Sequence, residues 1–138
     1  MNKYKNYKNY KQLVSFLKKN LPIAYPVSVR RCVMSRSLDG ECIKHKRRFF
    51  IRINKDLSEN LAIETLIHEW AHARAWNHLL DSMEADDRFD DLSHDATWGV
   101  AYSEVYRVYQ KLINESYKEK ITSEKLCSKF SVRYSKPT

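Results

Sequence analysis

The fold depends on residues 61–77, LAIETLIHEWAHARAWN, which contain no glycine and no proline. Apolar residues recur along this stretch at helical spacing, and they cover so much of its surface that most of the helix must be buried. Ser58 or Asn60 can cap the first turn, and Glu59 places a negative charge at the positive end of the helix dipole. The segment therefore predicts a long buried helix around which the other elements pack.

The sequence before this helix predicts one helix and a small sheet. Apolar residues between Tyr4 and Leu21 recur at intervals of three, four or seven, as on one face of a helix. Residues 27–34, 41–43 and 49–53 are short stretches of apolar and β-branched side chains, which is typical of strands. Asp39-Gly40 is a hairpin signal between the first two stretches. We expect a small three-stranded sheet, antiparallel or mixed.

The sequence after residue 77 predicts a second long helix. Residues 81–95 are acidic and irregular, and the apolar residues between Trp98 and Leu112 then recur at helical spacing. Residues from about 121 onward predict a short helix and a C-terminal tail. We therefore predict an α+β fold, with an N-terminal helix, a small three-stranded sheet and the 61–77 helix packed on the second long helix. Residues 1–138 are expected to form one domain.

The net charge of +8 is unevenly distributed along the chain. Residues 1–60 contain 15 Lys and Arg against 4 Asp and Glu, residues 61–103 contain 2 against 9, and residues 104–138 contain 8 against 4. An acidic middle between basic flanks argues against a uniformly basic nucleic-acid binder. A local basic cluster nevertheless predicts contacts with DNA phosphates, at Lys44, Lys46, Arg47 and Arg48.

The cysteine and apolar patterns exclude several classes of protein. The chain has an odd number of cysteines, Cys32, Cys42 and Cys127, and no CxxC pair. This argues against a secreted disulfide framework and against a cysteine-rich zinc site. No apolar stretch of signal-peptide length follows the basic N-terminus, and no window reaches 18 apolar residues. We predict a cytoplasmic protein without a membrane span.

The predicted buried helix carries an HExxH sequence, His68-Glu69-Trp70-Ala71-His72. Residues four apart lie on one face of a helix, so the imidazoles of His68 and His72 can bind one metal ion. Glu69 is rotated by about 100° from His68, which brings its carboxylate within reach of a metal-bound water without making it a ligand. The pattern predicts a zinc site in which Glu69 is the general base.

A catalytic zinc ion needs a third protein ligand and an open position for water. His94 is favoured because it opens the second long helix, where Gly99 would permit close approach to the metal helix. His78 completes the pattern HxxxHxxxxxH with His68 and His72. If the helix continues through Ala75, however, the side chain of His78 points away from the other two histidines. Glu104 on the second helix is a further alternative. The remaining candidates are the carboxylates of the acidic connection, Glu84, Asp86, Asp87, Asp90, Asp91 and Asp95.

Residues 49–110 resemble SprT-like zinc metallopeptidase domains. The resemblance lies in the segment LIHEWAH at 66–72, in His94-x-x-x-Trp98-Gly99-x-x-Tyr102, and in the preceding strand FIRI at 50–53. It implies zinc-dependent hydrolysis of peptide bonds, with His68, His72 and His94 as metal ligands. Glu69 would then be the general base on a zinc-bound water, and the substrates would be proteins or peptides, including proteins attached to DNA.

Two further expectations concern the substrate and the competing function. We expect the substrate to add as a strand along the sheet edge that carries Ile51, Arg52 and Ile53, and Tyr102 or an arginine to stabilise the oxyanion. The alternative function is a non-catalytic, nucleic-acid-associated module whose zinc is structural and has four protein ligands. A calcium site within residues 81–95 lacks the order of acidic residues found in an EF-hand.

Overall fold

The computed structural model describes residues 7–83 and 86–135, with side chains up to residue 123. Its elements follow in the order α1 (Lys8–Asn20), β1 (Val27–Cys32), β2 (Gly40–His45), β3 (Arg48–Asn54), α2 (Glu59–Arg74), a short 3-10 helix (His78–Ser82), α3 (Phe89–Ser93) and α4 (Ala96–Ser135). The predicted α+β fold is confirmed, including the packing of α2 on α4. The predictions that used Tyr4, Glu84 and the side chain of Cys127 fall outside the described residues.

The sheet is mixed, and β3 is its central strand. The strand order is β1-β3-β2, with β1 parallel and β2 antiparallel to β3. The prediction that Ile51, Arg52 and Ile53 form a substrate-binding edge is therefore wrong, because both sides of β3 are already hydrogen-bonded to neighbouring strands. The unpaired edges belong to β1 and β2.

The hairpin turn lies between β2 and β3, at Lys46-Arg47, where Lys46 has a positive φ of 56°. Asp39-Gly40 does not form the predicted hairpin turn, because β1 and β2 are not neighbours in the sheet. Gly40 is instead the first residue of β2.

β3 alternates between buried and exposed residues. Phe49, Ile51 and Ile53 are at most 2 % exposed, whereas Arg48, Phe50 and Arg52 face outward. Successive side chains of a strand point to opposite faces, so the apolar set covers the core while the other set faces solvent.

α2 occupies the centre of the core and contacts α1, β2, β3 and α4. Ser58 caps it as predicted, and its Oγ accepts a hydrogen bond from the amide of Leu61 at 3.3 Å. Trp70 donates from Nε1 to the carbonyl oxygen of Leu21 at 3.0 Å, which fixes the end of α1 against α2. Burial of each large apolar side chain contributes about 1.5–3 kcal/mol, so this packing holds the HExxH segment rigid. The largest fully buried side chains are Trp70, Leu13, Leu17, Ile51, Ile53, Leu66, Ile67 and Val105.

α4 continues from Ala96 to Ser135 without interruption. The separate short helix predicted from about residue 121 is therefore wrong. Residues 113–135 contain no glycine or proline and are rich in Lys, Glu and Ser, so nothing in that stretch ends a helix that has already begun. None of the helices in the described part of the chain combines the length and the apolar composition that crossing a membrane requires.

Candidate metal centre

Three histidines from two helices converge on one point. His68 and His72 lie one turn apart on α2, and His94 is the residue that ends α3. The Nε2 atoms are 3.1 Å apart for His68 and His72, 3.0 Å for His72 and His94, and 3.2 Å for His94 and His68. Among the described residues, no other group of three or more His, Cys, Asp or Glu side chains converges in this way.

The spacing of these nitrogens fits a bound metal ion. Imidazole nitrogens that bind one tetrahedral zinc ion at about 2.05 Å lie about 3.3 Å from one another. The three observed separations are close to this value and nearly equal, so all three Nε2 atoms can reach a common ion. The structure thus places His68, His72 and His94 to hold a metal ion, as the sequence predicted.

The protonation of the imidazoles also suits a ligand role. Nδ1 of His94 lies 2.6 Å from the carbonyl oxygen of Asp90. A carbonyl can only accept, so Nδ1 carries the proton and Nε2 keeps its lone pair for a metal. Burial, followed by the charges of His68 and His94, lowers the pKa of His72 to about 3. Burial and then His94 also lower the pKa of His68, so both rings are neutral at pH 7.

The other candidate ligands lie elsewhere or have other partners. His78 opens the 3-10 helix and lines a separate cavity with Tyr25 and Phe49. The carboxylate of Glu104 lies 3.5 Å from the guanidinium of Arg74. Of the described acidic residues, Asp86 pairs with Arg88 at 3.0 Å and Asp95 accepts a hydrogen bond from the amide of Trp98.

Glu69 lies beside the histidines with its carboxylate largely buried. Its side chain is 9 % exposed, and Oε2 is 4.0 Å from Nε2 of His68. Burial, together with the nearby charge of Glu41, raises the pKa of Glu69 to about 8. A divalent ion at the histidines would lower this pKa, because it favours the charged carboxylate. Glu69 is thus placed next to the metal centre without taking part in the histidine cluster.

The metal centre opens into a cleft between β2 and the helices. Two adjoining cavities, of about 250 and 370 Å³, share Gly40, His68 and Glu69 among their lining residues. The smaller also contains His94 and Cys42, and the larger contains Tyr102. A chain lying in this cleft would therefore pass both the histidines and the Glu69 carboxylate.

Trp98 forms the floor of the metal centre. Its ring centroid lies 5.0, 5.5 and 4.8 Å from those of His68, His72 and His94, and its Nε1 donates to the carbonyl oxygen of His68 at 3.5 Å. The ring therefore restricts the orientation of all three imidazoles. The predicted resemblance includes Trp98, but the sequence does not reveal this contact.

The glycine that permits close packing is Gly40. A Cβ at this position would lie 2.6 Å from Cγ2 of Thr65 on α2 and 2.8 Å from the carbonyl oxygen of Arg52. A Cβ at Gly99 would meet nothing within 4 Å, so the close approach predicted for Gly99 is wrong. Close packing occurs at β2 because its inner face lies directly on α2, one turn before Glu69.

An ion pair anchors the 3-10 helix, which packs against α3, the helix that His94 ends. Nζ of Lys44 lies 2.9 and 3.0 Å from the two carboxylate oxygens of Asp81, and Trp76 donates from Nε1 to the same carboxylate at 2.8 Å. These contacts join the 3-10 helix to β2 and to the end of α2. Sequence reasoning missed Asp81 as an anchor because its partner lies 37 residues away.

The predicted basic cluster is divided between the two faces of the sheet. Lys44 lies on the inner side, opposite Phe49, with its side chain only 13 % exposed. Lys46, Arg47 and Arg48 are exposed at the turn and at the start of β3. Lys44 is therefore placed for the Asp81 contact and not for a surface phosphate.

The chain matches no protein-family model, and the comparisons with curated proteins and with solved structures also give no match. The similarity to SprT-like domains consequently stays a prediction from residues 49–110.

Proposed function

We propose that the protein is a zinc-dependent peptidase of the SprT-like type, with Glu69 as its general base. The observation that supports this most strongly is the set of three Nε2 atoms within 3.2 Å of one another, beside a buried carboxylate in an open cleft. Imidazole nitrogens suit zinc, and three protein ligands leave a fourth position open. A structural zinc ion would need a fourth protein ligand, and the described residues contribute three to this cluster.

The residues of the cleft divide the chemistry between them. When bound, zinc would supply Lewis acidity that polarises the peptide carbonyl and lowers the pKa of water towards 7. Glu69 accepts a proton from the attacking water and passes it to the amine nitrogen as the peptide C–N bond breaks. The water oxygen stays on the carbonyl carbon, so the products are a carboxylate and an amine.

Tyr102 is our candidate for stabilising the charge that develops on the carbonyl oxygen. It lies on α4, eight residues after His94, and lines the same cavity as His68 and Glu69. A phenolic O–H can donate to an oxyanion. We expect Tyr102→Phe to lower kcat with little change in bound zinc.

The substrate would add to β2 and not to β3. β2 is an edge strand, and Gly40, Glu41 and Cys42 line the cavity beside the histidines. An extended peptide can pair with the free backbone groups of an edge strand, which gives affinity with little dependence on sequence. This arrangement would hold a backbone carbonyl alongside Glu69.

The test combines zinc content with cleavage of a protein substrate such as casein. Glu69→Gln is expected to retain zinc, and its rate of cleavage is expected to fall by about 10²–10⁴-fold, which is the usual contribution of a general base. His94→Ala is expected to lose both, whereas His78→Ala and Glu104→Ala retain both. The proposal fails if the wild-type protein purifies without zinc under gentle conditions and does not bind added zinc, or if Glu69→Gln cleaves at the wild-type rate.

A further inference from the structure

The sheet has a second face, on the side away from the helix that carries His68 and His72. We call this side of the sheet the outer face. The strand register places on it Ser28, Arg30, Glu41, Ile43, His45, Arg48, Phe50 and Arg52. The opposite residues of β3, Phe49, Ile51 and Ile53, are buried against the core. Apart from Glu41, which also lines the cleft, the outer face is separated from the cleft by the thickness of the sheet.

The outer face is strongly basic. Arg30 and Arg52 are direct neighbours across β1 and β3, and both are exposed. Arg48 is also exposed, and the turn residues Lys46 and Arg47 continue the positive charge beyond the end of β3. The single acidic residue of the outer face, Glu41, forms an ion pair with Arg52. Five cationic side chains therefore accompany one carboxylate, so the surface is complementary to a polyanion.

An aromatic ring lies in the middle of these charges. Phe50 is 36 % exposed at the centre of the central strand, with Ser28 and Ile43 beside it on the neighbouring strands. Arg48 and Arg52 are each two residues away along β3, a distance of roughly 6.7 Å. The guanidinium carbon of Arg48 lies 5.7 Å from the centroid of the Phe50 ring.

We propose that the outer face binds single-stranded nucleic acid, with a base stacked on Phe50 and phosphates contacted by Arg30, Arg48 and Arg52. Unpaired bases stack on exposed aromatic side chains of a sheet while flanking arginines follow the backbone. A duplex does not offer the face of a base, and an acidic protein would use the arginines but gain little from the ring. The combination of ring and charge therefore favours the single strand. This inference does not rest on the proposed peptidase activity.

The experiment measures binding of a labelled 20-nucleotide oligo-dT to the zinc-loaded full chain by fluorescence anisotropy at several salt concentrations. Affinity is expected to fall as salt rises, because phosphate contacts release counterions. Phe50→Ala is expected to weaken binding about tenfold, the lower part of the range for loss of one stacked base, and Phe50→Tyr is expected to retain it. Arg30→Gln is expected to reduce the slope of log K against log salt by about 0.7, the value for one phosphate of a single strand.

Matched controls separate the outer face from general basic or aromatic surface. Tyr117 is 63 % exposed on α4 and Lys19 is exposed on α1, so Tyr117→Ala and Lys19→Gln are expected to bind like the wild type. The proposal is overturned if Phe50→Ala binds oligo-dT like the wild type with an unchanged circular dichroism spectrum. It is equally overturned if duplex DNA binds as tightly, if poly-glutamate competes as well as oligo-dT, or if no binding occurs at low salt.

Discussion

Replacing Gly40 by alanine tests the close contact between β2 and α2 on which the geometry of the cleft depends. The added Cβ would lie 2.6 Å from Cγ2 of Thr65 and 2.8 Å from the carbonyl oxygen of Arg52. An ordinary carbon–carbon contact is about 3.6 Å, so the strand and the helix would have to separate by roughly 1 Å. Thr65 cannot rotate away easily because β-branched side chains in helices have few allowed rotamers, and the Arg52 oxygen belongs to the central strand.

The expected cost of this separation is about 1–3 kcal/mol of unfolding free energy, the usual range for an overpacked core. Chemical denaturation monitored by circular dichroism measures it. Peptidase activity should fall further, on the order of 100-fold, because Gly40 lines the cleft at Glu69 and a displacement of about 1 Å disturbs catalytic geometry.

The only other glycine supplies the matched control. Gly99 lies in α4 with nothing within 4 Å of a Cβ position, so Gly99→Ala should stabilise the protein by up to about 1 kcal/mol through helix propensity. Thr65→Ser removes the methyl group and should recover part of the loss when combined with Gly40→Ala. An unfolding midpoint for Gly40→Ala equal to that of the wild type would refute the close-contact explanation.

Three further predictions concern the metal centre. Zinc at 100 times its dissociation constant should raise the unfolding free energy by about 2.7 kcal/mol, measured by denaturation with and without a chelator, and His94→Ala should abolish the increase. Trp98→Phe should retain bound zinc in mass spectrometry because the aromatic floor remains, whereas Trp98→Ala should lose it, and equal zinc content in both would contradict the floor role. Asp81→Asn should release zinc to a competing chelator faster than the wild type, since it loosens the 3-10 helix against which α3, the helix that His94 ends, is packed. The control is Asp87→Asn, which removes an exposed negative charge from the same connection. Equal rates of zinc release from the two variants would contradict the anchoring role of Asp81.

The part of the site that could be predicted is local in the sequence. His68, Glu69 and His72 lie within one and a half turns of a single helix, so helical geometry alone fixes their relation. His94 lies on a different element. The sequence favours it as the residue that opens the second long helix, whereas in the structure it ends α3 and α4 begins at Ala96. The structure confirms its place with the other two histidines. Its orientation depends on the hydrogen bond to Asp90, which is also local.

The errors arose where strand pairing decides the outcome. An alternating pattern identifies the two faces of β3, but it contains no information about which strands lie beside it. The parallel pairing of β1 with β3 places β3 in the centre and gives the free edge near the metal centre to β2. The same limitation explains Gly40, since its neighbour Thr65 is 25 residues away and no local pattern connects them.

The alternation of one strand also explains how the charge of the chain is organised. The net charge of +8 suggests a single basic surface, and the consecutive basic residues at 44 and 46–48 strengthen that impression. The register of the sheet divides them instead. Lys44 turns inward and neutralises Asp81, while Arg48 and Arg52 turn outward on either side of Phe50. The inner side of the sheet therefore faces a metal centre and a buried carboxylate, and its outer side is basic and aromatic.

Because alternate residues of β3 belong to opposite faces, substitutions at Phe50 or Arg52 should leave zinc content unchanged, and substitutions at the histidines should leave oligo-dT binding unchanged. Loss of both properties through one exposed outer-face substitution would show that the two faces are not independent.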